Sequence, residues 1–313
     1  MSTVWLCPGQ GAQKVGMGKD LADRFPAARQ TFQAIDDALG FALSKLMFEG
    51  PEDQLTATHN TQPAILAHSA AVFAVVHGQV AHPVGAAGHS LGEYSAYIAA
   101  GALPAAEAAK LVRRRGELMQ QAGDARPGTM AAVLGLATAE VEAACREGSL
   151  ANSVAVAANL NAPDQTVISG DPDAVERAGA ICKAKGAKRV LPLKVSGAFH
   201  SPLMAPAADK LRLALDKAPF AAPAVPVIAN ATAEAVKDPA RARRLLADQL
   251  TAPVRWVACM TKAATLGDEG QPPAFLEIGP GAVLAGLVKR IVPGVTVTSL
   301  GTADEVAKFL EAA

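Results

Sequence analysis

The chain has 313 residues, 50% of them hydrophobic and 19% charged, enough apolar material for one large domain or two modest ones. Lys plus Arg and Asp plus Glu both number 29, so the formal net charge is zero, and nothing global favours nucleic acid or a membrane surface. Cys7, Cys145, Cys182 and Cys259 are far apart and lack metal-ligand spacing, so they read as free thiols in a reducing compartment with no metal site.

In chain order, residues 3–7 are a short apolar strand with no basic leader before it, and a cytoplasmic protein is expected. The strand runs into Pro8-Gly9-Gln10-Gly11, where glycines permit close backbone approach and successive N–H groups can face an anion. A plain strand-to-helix turn has the same composition. Helices are predicted over 26–39, opened by Pro26 and closed by Gly40, and over 43–48. A long helix is predicted from a cap at Asn60-Thr61-Gln62-Pro63 to about Val80. Its apolar run over 64–76 includes His68 and Ser69 and is too short to span a bilayer.

Next comes a small-residue strand over 83–87, then Gly88-His89-Ser90-Leu91-Gly92-Glu93, then a helix closed by Gly101. G-x-S-x-G between a strand and a helix reads as a nucleophile elbow, with Ser90 at the tip of a tight turn. A Gly-rich turn with a helix-capping serine reads the same way from the pattern alone. Pro104 opens a helix to about Ala122, with Ala108, Leu111, Val112, Leu118, Met119 and Ala122 on one face. At about 100° per residue Arg113 falls opposite that face and Arg114 on its flank, whereas Arg115 falls in its middle. A buried arginine there needs an anion, either a ligand or a structural carboxylate.

From Gly128 to Leu193 the pattern becomes strand, helix, strand, strand, helix, strand: 129–135, 138–147, 153–158, 165–169, 173–185 and 188–193. That order is the ferredoxin-like βαββαβ unit, here inserted into a larger α/β unit. The loop Val195-Ser196-Gly197-Ala198-Phe199-His200-Ser201-Pro202 precedes a helix to about Lys217. Strands over 225–229, 274–278 and 295–299 then alternate with helices, which implies a mostly parallel sheet covered on both faces.

A serine hydroxyl needs a base within hydrogen-bond reach. His59, His68, His77 and His82 lie in or beside one helical segment, and His89 diverges from its neighbour Ser90 across a tight turn. His200, in an irregular loop, is the best candidate by elimination. No acid between Ser90 and His200 stands out, and a long stretch follows His200. Both features depart from an ordinary α/β-hydrolase order and favour a backbone or amide oxygen as the group that orients His200.

With these residues the chain resembles the malonyl-CoA:acyl-carrier-protein transacylases of type II fatty-acid synthesis, and is similar to polyketide synthase acyltransferase domains. The motifs that carry the resemblance run nearly end to end: Pro8-Gly9-Gln10-Gly11, Thr61-Gln62-Pro63-Ala64, Gly88 to Tyr94, Arg115-Gly116, Asn161-Ala162-Pro163, Gly197 to Ser201, Gln249-Leu250 and Glu277 to Gly281. The resemblance implies an α/β-hydrolase-like subdomain over 1–126 and 195–313, with a ferredoxin-like one over 127–194 and the site between them. It implies Ser90 as nucleophile, His200 as base, and the Gln10 and Leu91 N–H groups as oxyanion hole. It further implies Arg115 as the malonyl carboxylate clamp, the Gln249 main chain as the acceptor that orients His200, and Gln62 in the pocket. In the related polyketide domains, Phe at the Phe199 position goes with malonyl and Ser with methylmalonyl. Gly197 departs from the His usual there, and many stand-alone transacylases carry Ser where this chain has Phe199. The implied partners are malonyl-CoA and an acyl carrier protein, with no cofactor and a monomeric enzyme. Lys183, Lys185, Lys188 and Arg189 are a candidate docking cluster for the acidic carrier, and a solvated charged face reads almost as well. A trans-acting polyketide acyltransferase, a malonate decarboxylase acyltransferase subunit, a serine acyl hydrolase and a non-catalytic binding module are the rival readings.

Overall fold

Short apolar runs closed by Gly or Pro become strands in the computed structural model, which describes residues 2–268 and 270–312. The strands are β1 (Thr3–Cys7), β2 (Pro83–Gly88), β3 (Thr129–Leu134), β4 (Ala155–Ala162), β5 (Gln165–Gly170), β6 (Arg189–Pro192), β7 (Val227–Ile228), β8 (Ala235–Val236), β9 (Ala274–Ile278) and β10 (Val297–Leu300). One sheet has the order β10-β9-β1-β2-β7-β8, parallel except for the β7–β8 pair. The other has the order β4-β5-β3-β6 and is antiparallel throughout, with helices Thr138–Gly148 and Pro172–Ala184 inserted as the βαββαβ reading expects.

The parallel sheet places the loops. Cys7 pairs with Gly88 and Ala87 with Ile228, so β1, β2 and β7 end level with one another. The turn at Pro8, the elbow at Ser90 and the segment at Asn230 therefore emerge side by side, at the carboxyl edge where open α/β sheets hold ligands.

Helix Thr58–Val76 is buried on almost every side, which explains its nearly continuous apolar run. No helix among the described residues is long and apolar enough to cross a membrane. The helix differs from expectation at both ends. It begins at Thr58, with Pro63 inside it, and ends at Val76 before a separate turn over His77–Gln79. The missing Pro63 N–H leaves the His59 carbonyl without its helical donor, and Arg113 Nη1 supplies one at 3.2 Å. Arg113 is consequently half-buried although it lies opposite the apolar stripe of its own helix, Ala105–Ala125.

Helices Lys19–Arg24 and Glu52–Thr56 were not anticipated, being too short for a periodic signal. Helix Trp256–Ala264 was also missed. It has no side-chain cap, and it buries Trp256, Cys259, Met260 and Ala263 with Val4, Leu6, Ile228 and Phe275. All four cysteines are buried and unpaired.

Several hydrogen bonds join the sheets. β4 runs on to Ala162, beyond the expected 153–158, and Leu160 N and Val254 O bond at 2.9 Å while Val254 N reaches Ala158 O at 2.8 Å. Arg126 Nη2 donates to both carboxylate oxygens of Asp171, at 2.8 and 2.9 Å.

Candidate active site

The elbow is tight for steric reasons. A Cβ on Gly88 would lie 1.9 Å from Gly92 O, and one on Gly92 would lie 2.2 Å from Cys7 O. Ser90 itself sits at φ 53°, a strained conformation for a residue with a side chain. Asn230 holds it there. Its Oδ1 accepts from Ser90 N at 2.7 Å and its Nδ2 donates to Gly88 O at 2.7 Å.

His200 comes from the loop before helix Ala205–Lys217. His200 Nδ1 lies 2.8 Å from the Gln249 carbonyl oxygen, which can only accept, so Nδ1 carries the proton. Nε2 is then the acceptor for the Ser90 hydroxyl, 2.8 Å away. The orienting group is a main-chain carbonyl rather than a carboxylate.

Arg115, placed mid-stripe by helical phase, is 1% exposed. Its Nη1 donates to Gln62 Oε1 at 2.7 Å. Its Nη2 donates to Gln249 Oε1 at 2.9 Å and to Ser90 Oγ at 3.0 Å. Every one of these acceptors is neutral. Gln62 is held in turn by Met119 Sδ, which accepts from Nε2 at 3.3 Å.

Ser90, His200, Arg115, Gln10, Leu91, Gln62 and Phe199 all line one cavity of about 300 Å³. Gln249 stands behind it, fully buried. Among the described residues neither the Gln10 nor the Leu91 backbone N–H has a protein acceptor, so both are available at the cavity wall. Among the described residues no group of three or more His, Cys, Asp or Glu is placed to hold a metal ion.

A model of the acyl transferase domain matches residues 4–308. The chain belongs to the acyl transferase family. It is 44% identical over 309 residues to the malonyl CoA-acyl carrier protein transacylase of Escherichia coli (strain K12), covering 98% of each chain. Among solved structures it is similar to an acyl carrier protein S-malonyltransferase from Vibrio cholerae, at 42% identity, TM-score 0.93 and coverage of 98% and 99%. It is also similar to a malonyl-transacylase solved in complex with its type II PKS acyl-carrier protein, at 41% identity, TM-score 0.94 and full coverage of both chains.

Burial sets the charge states around this cavity. Desolvation, and then the Arg115 charge, push the His200 pKa from 6.5 down to about 3, so the imidazole is neutral. Desolvation lowers the Arg115 pKa and pushes the Glu93 carboxyl from 4.5 up to about 7. Tyr94, whose ring faces the guanidinium, is raised by burial and stays neutral.

Of the proposed docking cluster, Lys183, Lys185, Lys188 and Arg189 are exposed but do not line the cavity. Lys185 pairs with Glu147 at 3.2 Å. Lys194, beyond the other end of β6 and not singled out by sequence, lines the cavity and is exposed. Asn230 was also missed. The signal was available in principle: it is the polar residue just past a strand predicted at 225–229, on the edge that carries the elbow. His89, set aside as a base, bonds through Nε2 to Asn161 Oδ1 at 2.8 Å and so ties the elbow to β4.

Proposed function

We propose that this chain moves a malonyl group from malonyl-CoA to the phosphopantetheine thiol of an acyl carrier protein, through a malonyl-serine intermediate. Arg115 carries the reading. A buried guanidinium with only neutral partners, 3.0 Å from a serine hydroxyl, suits an acyl group with a carboxylate close to its reacting carbonyl. Malonyl thioesters have that shape.

Ser90 Oγ attacks the thioester carbon as its proton passes to His200 Nε2. The N–H groups of Gln10 and Leu91 hold the oxyanion, a contribution of about 3 kcal/mol per donor in a dry site. The carbon–sulfur bond breaks and His200 returns the proton to the CoA sulfur. The carrier thiol then repeats the sequence in reverse. No step calls for a metal or a redox group. Phe199 lines the cavity, and its bulk leaves less room for a branched acyl group.

The test is transfer. Enzyme pre-loaded from malonyl-CoA and freed of CoA should pass its malonyl group to a carrier bearing phosphopantetheine and not to the same carrier without it. A loaded enzyme that instead loses malonyl to water at the same rate with or without carrier would overturn the reading. The exposed cluster Lys183, Lys185, Lys188 and Arg189 is proposed to dock the acidic carrier. Charge reversal at Lys188 and Arg189 should slow this second half-reaction at low salt and leave loading unchanged.

The pH dependence follows from His200. Its base form persists well below 6.5, so the acid limb that it imposes on kcat/KM lies below 6.5. The Arg115 charge is one cause of that depression, so removing it raises the His200 pKa. With acetyl-CoA, which does not use the clamp, the acid limb should move to higher pH in Arg115→Ala than in the parent. An unmoved limb would show that the two groups are not coupled.

A further inference from the structure

Arg115 lies one side chain away from a carboxylate that it does not touch. Glu93, in the first turn of helix Gly92–Ala99, is fully buried. Its Oε2 accepts from Gln249 Nε2 at 2.7 Å and from the Asn230 main-chain N–H at 3.0 Å. Gln249 Nε2 also donates to Ser90 O at 3.0 Å. With its amino group committed to two acceptors, the Gln249 amide has one orientation, and its Oε1 faces Arg115 Nη2 at 2.9 Å. A flipped amide would set its amino group against the guanidinium and its oxygen against a carboxylate and a carbonyl.

The path is therefore carboxylate, amide, guanidinium. Against the desolvation that lowers the Arg115 pKa, Tyr94 first and then the Glu93 carboxylate favour its ionised form. On the far side Gln62 presents a second amide oxygen to Nη1. Both ends of the guanidinium thus rest on amide acceptors, which a ligand carboxylate can displace or outcompete. A protein carboxylate in direct contact would form an internal ion pair and hold the clamp closed to substrate.

We infer that Glu93 and the Gln249 side chain together determine selectivity for a carboxylate-bearing acyl group, Glu93 as the remote counter-charge of Arg115 and Gln249 as the spacer that leaves the direct contact to the substrate. The inference rests on the clamp reading of Arg115. The Gln249 main-chain carbonyl, which orients His200, is unaffected by a change of its side chain. Glu93 is a positioning residue and does not reach the cavity.

The experiment measures acyl-enzyme formation from malonyl-CoA and from acetyl-CoA by intact mass, with thermal unfolding of each variant. Glu93→Gln keeps the shape and removes the charge. At about pH 8, where the Glu93 carboxyl, raised to about 7, is ionised in the parent, its malonyl-to-acetyl rate ratio should rise several-fold, because the buried guanidinium is left with the substrate carboxylate as its anionic partner, while acetyl loading is retained within a few-fold. Its unfolding midpoint should stay level or rise, because burial disfavours the Glu93 charge. Gln249→Glu places a carboxylate against Arg115 and should lower the ratio by about tenfold or more. An unchanged ratio in either variant overturns the inference. So does a Glu93→Gln protein that melts well below the parent, since the carboxylate would then be a structural brace. Arg115→Ala in the same assay separates the two levels. If it leaves the ratio unchanged, the clamp itself is wrong; if it lowers the ratio while the other variants leave it unchanged, only the counter-charge and spacer idea falls.

Discussion

Ser90→Ala is expected to lower malonyl-enzyme formation by a factor on the order of 10⁴ or more while leaving the fold in place. The hydroxyl is the group that His200 Nε2 and Arg115 Nη2 share, at 2.8 and 3.0 Å. Without it no oxygen stands at the tip of the elbow, and an alanine methyl cannot form the ester. The backbone hydrogen bonds that hold the elbow run through Ser90 N and O, not through Oγ, so they survive. The two released partners face a cavity of about 300 Å³ that water can enter. The stability cost should therefore be about 1 kcal/mol, read from a urea midpoint. The adduct seen by intact mass should vanish for malonyl-CoA and acetyl-CoA alike. An adduct of unchanged mass and rate in Ser90→Ala would place the acyl group on another residue.

Arg115→Ala is expected to act on one substrate only. Charge-assisted hydrogen bonds to a carboxylate contribute about 1.5–3 kcal/mol, so malonyl loading should fall by roughly 10- to 150-fold. Acetyl loading has no such contact to lose and should change by only a few-fold. The comparison of the two thioesters under one set of conditions carries the test, because a general loss of activity would lower both. Equal preference in the parent protein would remove the role given to Arg115. Stability is informative as well. Arg115 makes no salt bridge among the described residues, so its removal strands no touching carboxylate. It does take away a charge that opposes the rise in the Glu93 pKa, which should climb further above about 7.

Some of this site was legible because its signals are local. The elbow needs only glycines flanking Ser90 between a strand and a helix. The inward direction of Arg115 needs only helical phase. The inserted antiparallel sheet follows from an unbroken run of alternating elements. His200 came by elimination, and the geometry brings it to Ser90 as expected. What was not legible depends on distant pairing. Asn230 reads as one polar residue in Ala229-Asn230-Ala231-Thr232, and only the β2–β7 register brings it beneath Ser90. Glu93 reads as a helix-start carboxylate, yet its partners lie on two later segments. Helix Trp256–Ala264 owes its place to burial against the back of the sheet, a tertiary reason that no cap or period announces. Lys194 was passed over for the four charges before it because reach to the cavity is set by the direction of the segment, not by charge density.

The long span of the elbow's supports has a consequence for biosynthesis. Ser90 N is accepted by a residue 140 positions later, and Ser90 O accepts from one 159 positions later. A nascent chain therefore exposes its whole serine motif long before the residues that hold the strained backbone have been translated. Growing chains on the ribosome, and fragments ending before Asn230, carry Ser90 without the residues that hold its backbone. Both long-range supports of the strained Ser90 backbone are thus contributed by the last third of the chain.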